Sequence, residues 1–235
     1  MYLKQIKRAV ILGLMFACSF AYALEADVGR ATIILHGDNW QTIADDKQEG
    51  NVSGGNGSGI LEIKQKTWLL TDGAKNVKAI LLVRGTSGGY ASEYGVSFRA
   101  GCKKNDSPYA YTKDDTGGSL TQLDCLRAFH IPQSAGLFNQ MYKSEQEFAK
   151  SKGLNLPKKG TFVNNMVSMP SGTYLFVSIF ADEDWSGVPS AAIDGIPTTI
   201  KPEVIAWANE MSKAARSSVR SFSGKMVMPP IEFKQ

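Results

Sequence analysis

"ILLVRGTSGGY", residues 80–90, decides how the chain is read. An apolar run leads into Gly85-Thr86-Ser87-Gly88-Gly89, which satisfies the pattern G-x-S-x-G. If Ser87 is a hydrolase nucleophile, a strand must turn sharply into a helix behind it, and the fold is a parallel, alternating α/β one. If the glycines only turn the chain, two antiparallel strands meet there. The residues downstream favour the turn. Gly88, Gly89 and Gly95 oppose a helix, and Tyr94, Val96 and Phe98 recur with the period of a strand.

Residues 33–39, "IILHGDN", resemble the strand-to-His-Gly segment that feeds the oxyanion hole of α/β-hydrolases. That resemblance implies Ser87 as nucleophile and His130 as base, with Asp114, Asp115 or Asp124 as the acid. The alternating helix–strand pattern of that family is missing, and more than a hundred residues follow His130. A hydrolase built on Ser87 and His130 therefore stands as an alternative to the main reading.

Outward from this stretch, strand signals dominate the middle of the chain. Thr32–Leu35 form a short apolar run, residues 60–71 alternate in part, and Val77–Val83 are almost continuously apolar, as in a strand covered on both faces. Cys125, Leu126, Ala128 and Phe129 suggest another strand. "TYLFVSIFA", residues 173–181, puts Tyr174, Phe176 and Phe180 on one side and Leu175, Val177 and Ile179 on the other, which predicts a central strand. Residues 44–59, "ADDKQEGNVSGGNGSG", hold five glycines and almost no apolar side chain, and predict a flexible surface loop.

Two amphipathic helices are predicted. Over 135–152, Leu137, Phe138, Met141, Tyr142, Phe148 and Ala149 share a stripe that Gly153 terminates. Over 202–222, Pro202 and Glu203 suit a first turn, Val204, Ala208, Met211, Ala215 and Phe222 form the stripe, and Gly224 ends it. The expectation is an α+β fold: a single domain over 24–235, with a mainly antiparallel sheet, two principal amphipathic helices and one disulfide.

The first residues concern address, not fold. Lys4, Lys7 and Arg8 precede an apolar stretch, and Ala21-Tyr22-Ala23 offers the small-x-small pattern of a signal-peptidase site, so residues 1–23 read as a secretory signal peptide. The apolar stretch is shorter than the roughly 20 residues of a spanning helix, so no stable membrane insertion is expected after cleavage. The whole chain carries 26 basic and 22 acidic residues; removing Lys4, Lys7 and Arg8 leaves 23 against 22. That balance, with no long basic run, gives nucleic-acid binding no support. Cys18 leaves with the leader. Cys102 and Cys125 remain, are not spaced as C-x-x-C, and are predicted to form a structural disulfide in an oxidising compartment, periplasmic or extracellular.

Chemical signals are few. The two histidines, His36 and His130, lie too far apart in sequence for a paired zinc motif, no G-x-x-x-x-G-K loop is present, and no metal or cofactor is expected. "DEDWSG", residues 182–187, sets Asp182, Asp184 and Ser186 at alternating positions as in the first half of a calcium loop, but its twelfth position is Ile193 where a bidentate Glu belongs. Asp182, Asp184 and Trp185 are the candidate ligand-binding residues, for calcium or, through the indole face, for a glycan. The sequence thus favours an exported envelope protein with a binding or accessory role toward an envelope partner or small ligand, over a catalyst.

Overall fold

A computed structural model describes residues 23–37, 39–54, 57–87, 102, 110–117, 119, 122–132, 136–182 and 200–231. Among them are ten strands and three helices. In chain order these are β1 (Ala23–Val28), β2 (Ala31–His36), β3 (Trp40–Gly54), β4 (Gly57–Thr71), β5 (Val77–Thr86), β6 (Ala110–Asp114), β7 (Leu123–Pro132), α1 (Gly136–Met141), α2 (Lys143–Ser151), β8 (Lys159–Ser168), β9 (Tyr174–Asp182), α3 (Pro202–Arg220) and β10 (Lys225–Val227).

Seven strands form one sheet in the order β3-β4-β5-β9-β8-β7-β6, and every neighbouring pair is antiparallel. β9, the 173–181 stretch, is the middle strand, buried on both sides as its continuous apolar sequence requires. A second sheet, β1-β2-β10, joins β10 to β2 in parallel.

The expected α+β class is corrected: the protein is mostly β, with a seven-stranded antiparallel sheet and a three-stranded one. Strands form where local sequence alone gives little reason for them. Within 44–59, expected as a loop, residues 44–54 and 57–59 instead belong to β3 and β4, whose ladder runs from Trp40↔Leu70 to Gly54↔Gly57, and residues 55–56 lie outside the described residues. Backbone pairing supplies the order that side-chain burial does not. Opposite charges reinforce it across the pair, Lys66 Nζ with Asp45 Oδ2 at 3.1 Å and Lys47 Nζ with Glu62 Oε1 at 3.4 Å. The helix expected over 135–152 is split at Tyr142, whose side chain turns inward and is fully buried. Gly153 follows α2 at φ +64°, as predicted for its terminator.

The two faces of the large sheet are packed differently. One face, here the helix face, carries Trp68, Leu81, Val83, Leu126, Val163, Val177 and Ile179. α3 covers part of it with Val204, Trp207, Ala208, Met211 and Ala215, and the small sheet covers the rest with Val28, Ile33, Leu35 and Met226. The other, aromatic face carries Leu69, Ile80, Leu82, Phe162, Phe176 and Phe180, with Tyr142 packed against them. Phe222, expected in the α3 stripe, lies past the end of the helix and is wholly exposed (112%). The α3 helix runs only to Arg220 because Ser221 is already extended and Gly224, at φ +63°, turns the chain into β10.

Polar ties hold the helix face. Asn165, fully buried in β8, donates through Nδ2 to Cys125 O and to Ser212 Oγ of α3, both at 3.1 Å. Arg216 of α3 grips Asp124 through Nε and Asp115 through Nη2, the latter at 2.6 Å, and Lys113 joins Asp115 at 2.8 Å. The hydrogen bonds from Lys113 and then Arg216 hold the Asp115 carboxyl below the usual carboxylate range. The predicted Cys102–Cys125 disulfide is present, with Cα atoms 5.3 Å apart, and it encloses the edge strand β6. Closing that loop contributes roughly 3 kcal/mol in the chain-entropy account.

Candidate functional site

The positions of Gly85 and Ser87 decide between elbow and turn. β5 pairs antiparallel with β4 on one side and β9 on the other, so the strand before Ser87 does not lie in the parallel sheet of a nucleophile elbow. Gly85 is a close-approach glycine: a Cβ there would lie 2.6 Å from the carbonyl oxygen of Val28, where the small sheet crosses the large one. Ser87 donates Oγ–H to Glu62 Oε1 at 2.7 Å, and its backbone N–H donates to Glu62 O at 2.9 Å. That serine hydrogen bond, with Lys47 nearby, lowers the Glu62 pKa, which makes it a weak base.

His130 is nowhere near. The register His130↔Thr161, Thr161↔Ala181, Ala79↔Ala181 places it level with Ala79 of β5. Ser87 is eight residues further along that strand, roughly 26 Å away, and three strands across, about 14 Å. His130 Nδ1 instead meets Thr161 Oγ1 at 2.9 Å. The residues 88–98 expected to complete a hairpin lie outside the described residues, as do residues 1–22 of the expected leader, whereas its last residue, Ala23, opens β1.

Of the candidate ligand residues, Asp182 is described, whereas Asp184 and Trp185 lie outside the described residues. Asp182 closes β9 and accepts from Lys78 Nζ of β5 at 3.2 Å, a cross-strand ion pair on the aromatic face. Among the described residues, no group of three or more His, Cys, Asp or Glu comes together to hold a metal ion.

Asp182 stands at the end of the sheet where β5 and β8 begin, and that end carries a more developed feature. A groove of about 850 Å³ runs between α2, the connection 153–158 and the turn before β5. Three layers compose it. Ala149, Leu154 and Leu156 give an apolar floor; Asn76, Asn155 and Gln146 give amides; Lys143, Lys150 and Lys158 form an exposed rim with Glu147. Lys143 and Lys150 are two helical turns apart, hence on one side of α2. The inner side of the same helix is fixed by burial of Glu145 and Ala149.

The amide wall is rigid. Asn76 and Asn155 form a parallel bridge, with Val77 N–H donating to Asn155 O and Asn155 N–H to Lys75 O, both at 2.8 Å, and Asn155 Nδ2 to Asn76 Oδ1 at 3.1 Å. The turn behind it is built around Asp72, whose carboxylate accepts from Ala74 N, Asn76 N and Asn76 Nδ2. Those bonds, Asn76 first, lower its pKa. Lys75 is held at φ 96°, the one left-handed non-glycine residue among the described residues. Such strain persists where surrounding bonds over-determine the backbone, and it concentrates at ligand-contacting segments.

Under α2, the aromatic face hides a polar group of its own. Tyr142 OH meets Ser178 Oγ at 3.1 Å, and burial pushes the Tyr142 hydroxyl pKa up. Glu145 is completely buried; Oε2 accepts from Ser144 Oγ at 2.9 Å, and Oε1 has no hydrogen-bond partner. Further along the same face Arg84 Nε donates to Gln65 Oε1 at 2.5 Å.

Fold and groove together define a disulfide-bonded, mostly antiparallel β protein with a lysine-rimmed groove at one end of its sheet. In comparisons with protein-family models, curated proteins and solved structures, nothing matched this chain. No helix among the described residues is long and apolar enough to cross a membrane.

Proposed function

We propose that the chain is an exported binding or accessory protein whose groove beside α2 captures an acidic, partly apolar segment of an envelope partner polypeptide. The observation that carries this reading is the layered groove itself: leucines below, amides along one wall, lysines at the rim. An extended peptide satisfies all three layers at once, with apolar side chains on Leu154 and Leu156, main-chain groups on Asn76 and Asn155, and carboxylates toward Lys143, Lys150 and Lys158. The strained, bond-locked turn at Lys75 favours a wall organised before the partner arrives. Export is supported by the leader-like residues 1–23 and by the Cys102–Cys125 bond, which persists in oxidising compartments.

The test is fluorescence anisotropy with a labelled peptide of alternating Asp and Leu. The native protein is expected to bind it, more weakly as salt rises, and Lys143→Glu/Lys150→Glu/Lys158→Glu is expected to weaken binding at least tenfold. Equal binding by the two proteins, or none by the native one, removes the reading.

A further inference from the structure

The opposite end of the sheet points to a second contact surface, independent of the groove. There the β1–β2 turn, the β8–β9 turn and the end of α3 meet. Arg30 Nη1 reaches Thr173 Oγ1 at 3.5 Å, and a small cleft lies between Arg30, Thr173, Tyr174, Ser221 and Phe222.

A single exposed apolar side chain is ordinary. Phe222 differs in being wholly exposed and in its surroundings. Residues 211–230 carry four basic side chains and no acidic one. Arg216 is engaged by Asp124 and Asp115, whereas Arg220, Lys225 and Arg30 are exposed on the segments that carry and adjoin Phe222; Asp27, also exposed on β1, accepts from Thr32 Oγ1. Lys225 Nζ lies 4.0 Å from Glu25, in a pair more than half exposed on both sides. Arg220 also complements the negative end of the α3 dipole, but that accounts for neither Arg30, Lys225 nor the aromatic ring.

We infer that this end docks reversibly on an anionic lipid bilayer, with Phe222 entering the headgroup boundary and Arg30, Arg220 and Lys225 facing lipid phosphates. Charge complementarity names the sign of the partner. The apolar content points to a class of partner: among the described residues Phe222 and Val227 are the exposed large hydrophobics, and Phe222 stands as a single aromatic anchor. A protruding aromatic with exposed cations on the adjoining segments is what an interfacial anchor requires.

Flotation of the full, disulfide-bonded chain with phosphatidylglycerol-containing vesicles, against pure phosphatidylcholine vesicles, tests this. Native protein and variants share one N-terminus, so any membrane affinity of residues 1–23 cancels between them. The native protein is expected to float with the anionic vesicles and not the neutral ones. Phe222→Ser is expected to weaken binding about tenfold, since partial burial of one aromatic ring is at stake. Arg220→Gln and Lys225→Gln are expected to weaken it about fivefold each. Melting temperatures are expected to stay unchanged, because these side chains are exposed. Undiminished flotation of the variants overturns the proposal. So does a native protein that binds vesicles no better than a Phe222→Ser/Arg220→Gln/Lys225→Gln variant but loses an acidic protein partner on the same substitutions.

Discussion

The helix face and the aromatic face of the large sheet are both buried, yet they differ in the kind of polar group each leaves without a hydrogen-bond partner. On the helix face Asn165 donates to Cys125 and Ser212 and Arg216 clamps Asp124 and Asp115, and Asn165 Oδ1 and Trp68 Nε1, buried without a hydrogen-bond partner, are neutral. On the aromatic face, Glu145 keeps a carboxylate oxygen without a hydrogen-bond partner in a fully buried position. The polar ties of the helix face gather where α3 meets β7 and β8. α2 is the helix that carries the orphaned carboxylate oxygen on its inner side and the groove's lysines on its outer side.

The strongest way to break this comparison is to cut into the helix face. Met211→Ala, at a fully buried position, is expected to cost about 3 kcal/mol by cavity formation, read as a shift in the urea midpoint. At the β6 edge of the sheet, replacing Cys102 and Cys125 together by Ser is expected to cost about 3 kcal/mol. The aromatic face should answer in the opposite sense. Glu145→Met removes the orphaned oxygen and is expected to leave stability unchanged or raise it by about 1 kcal/mol. A loss of several kcal/mol there would place Glu145 among the supports of the fold.

Acid sharpens the comparison with a smaller effect. Asp115 has its folded-state pKa depressed by Lys113 and Arg216, so its contribution is complete above the ordinary Asp value of 3.8 and is lost as pH falls through the lower folded value. Asp115→Asn is therefore expected to flatten the stability–pH curve below about pH 4. In alkali the signs reverse on the aromatic face. Burial keeps Tyr142 and Tyr174 protonated in the folded state after unfolded tyrosines ionise, so stability is expected to fall as pH rises past about 10. An absorbance titration should find these two phenols the last to ionise.

The parts of the fold legible in the sequence were those whose burial is written locally. β9 alternates large side chains to both faces, β5 is continuously apolar, and α3 shows Pro202, Glu203 and an apolar stripe. β8 was not legible. "KGTFVNNMVS" interrupts its apolar pairs with Asn164 and Asn165, and only the tertiary bonds of Asn165 to Cys125 and Ser212 show how an amide is accommodated in the core. β3 was misread because glycine and charge signal a loop, whereas its order comes from the ladder with β4. Phe222 fits helical spacing by number but falls beyond a helix that ends at Arg220. The groove was the least legible feature, since Asn76 and Asn155 are joined by folding alone. One local signal existed: Lys143 and Lys150 share a helical face, followed by the Lys158-Lys159 pair.

The central claim is that the outer side of α2 is an occupied surface in the cell. Amine acylation followed by mass spectrometry reads it directly, comparing protein labelled in intact envelope with protein labelled after purification. The account predicts that Lys143, Lys150 and Lys158 are protected in the envelope and become reactive on purification, while exposed Lys213 of α3 reacts equally in both. Equal reactivity of all four lysines in the two preparations would contradict it.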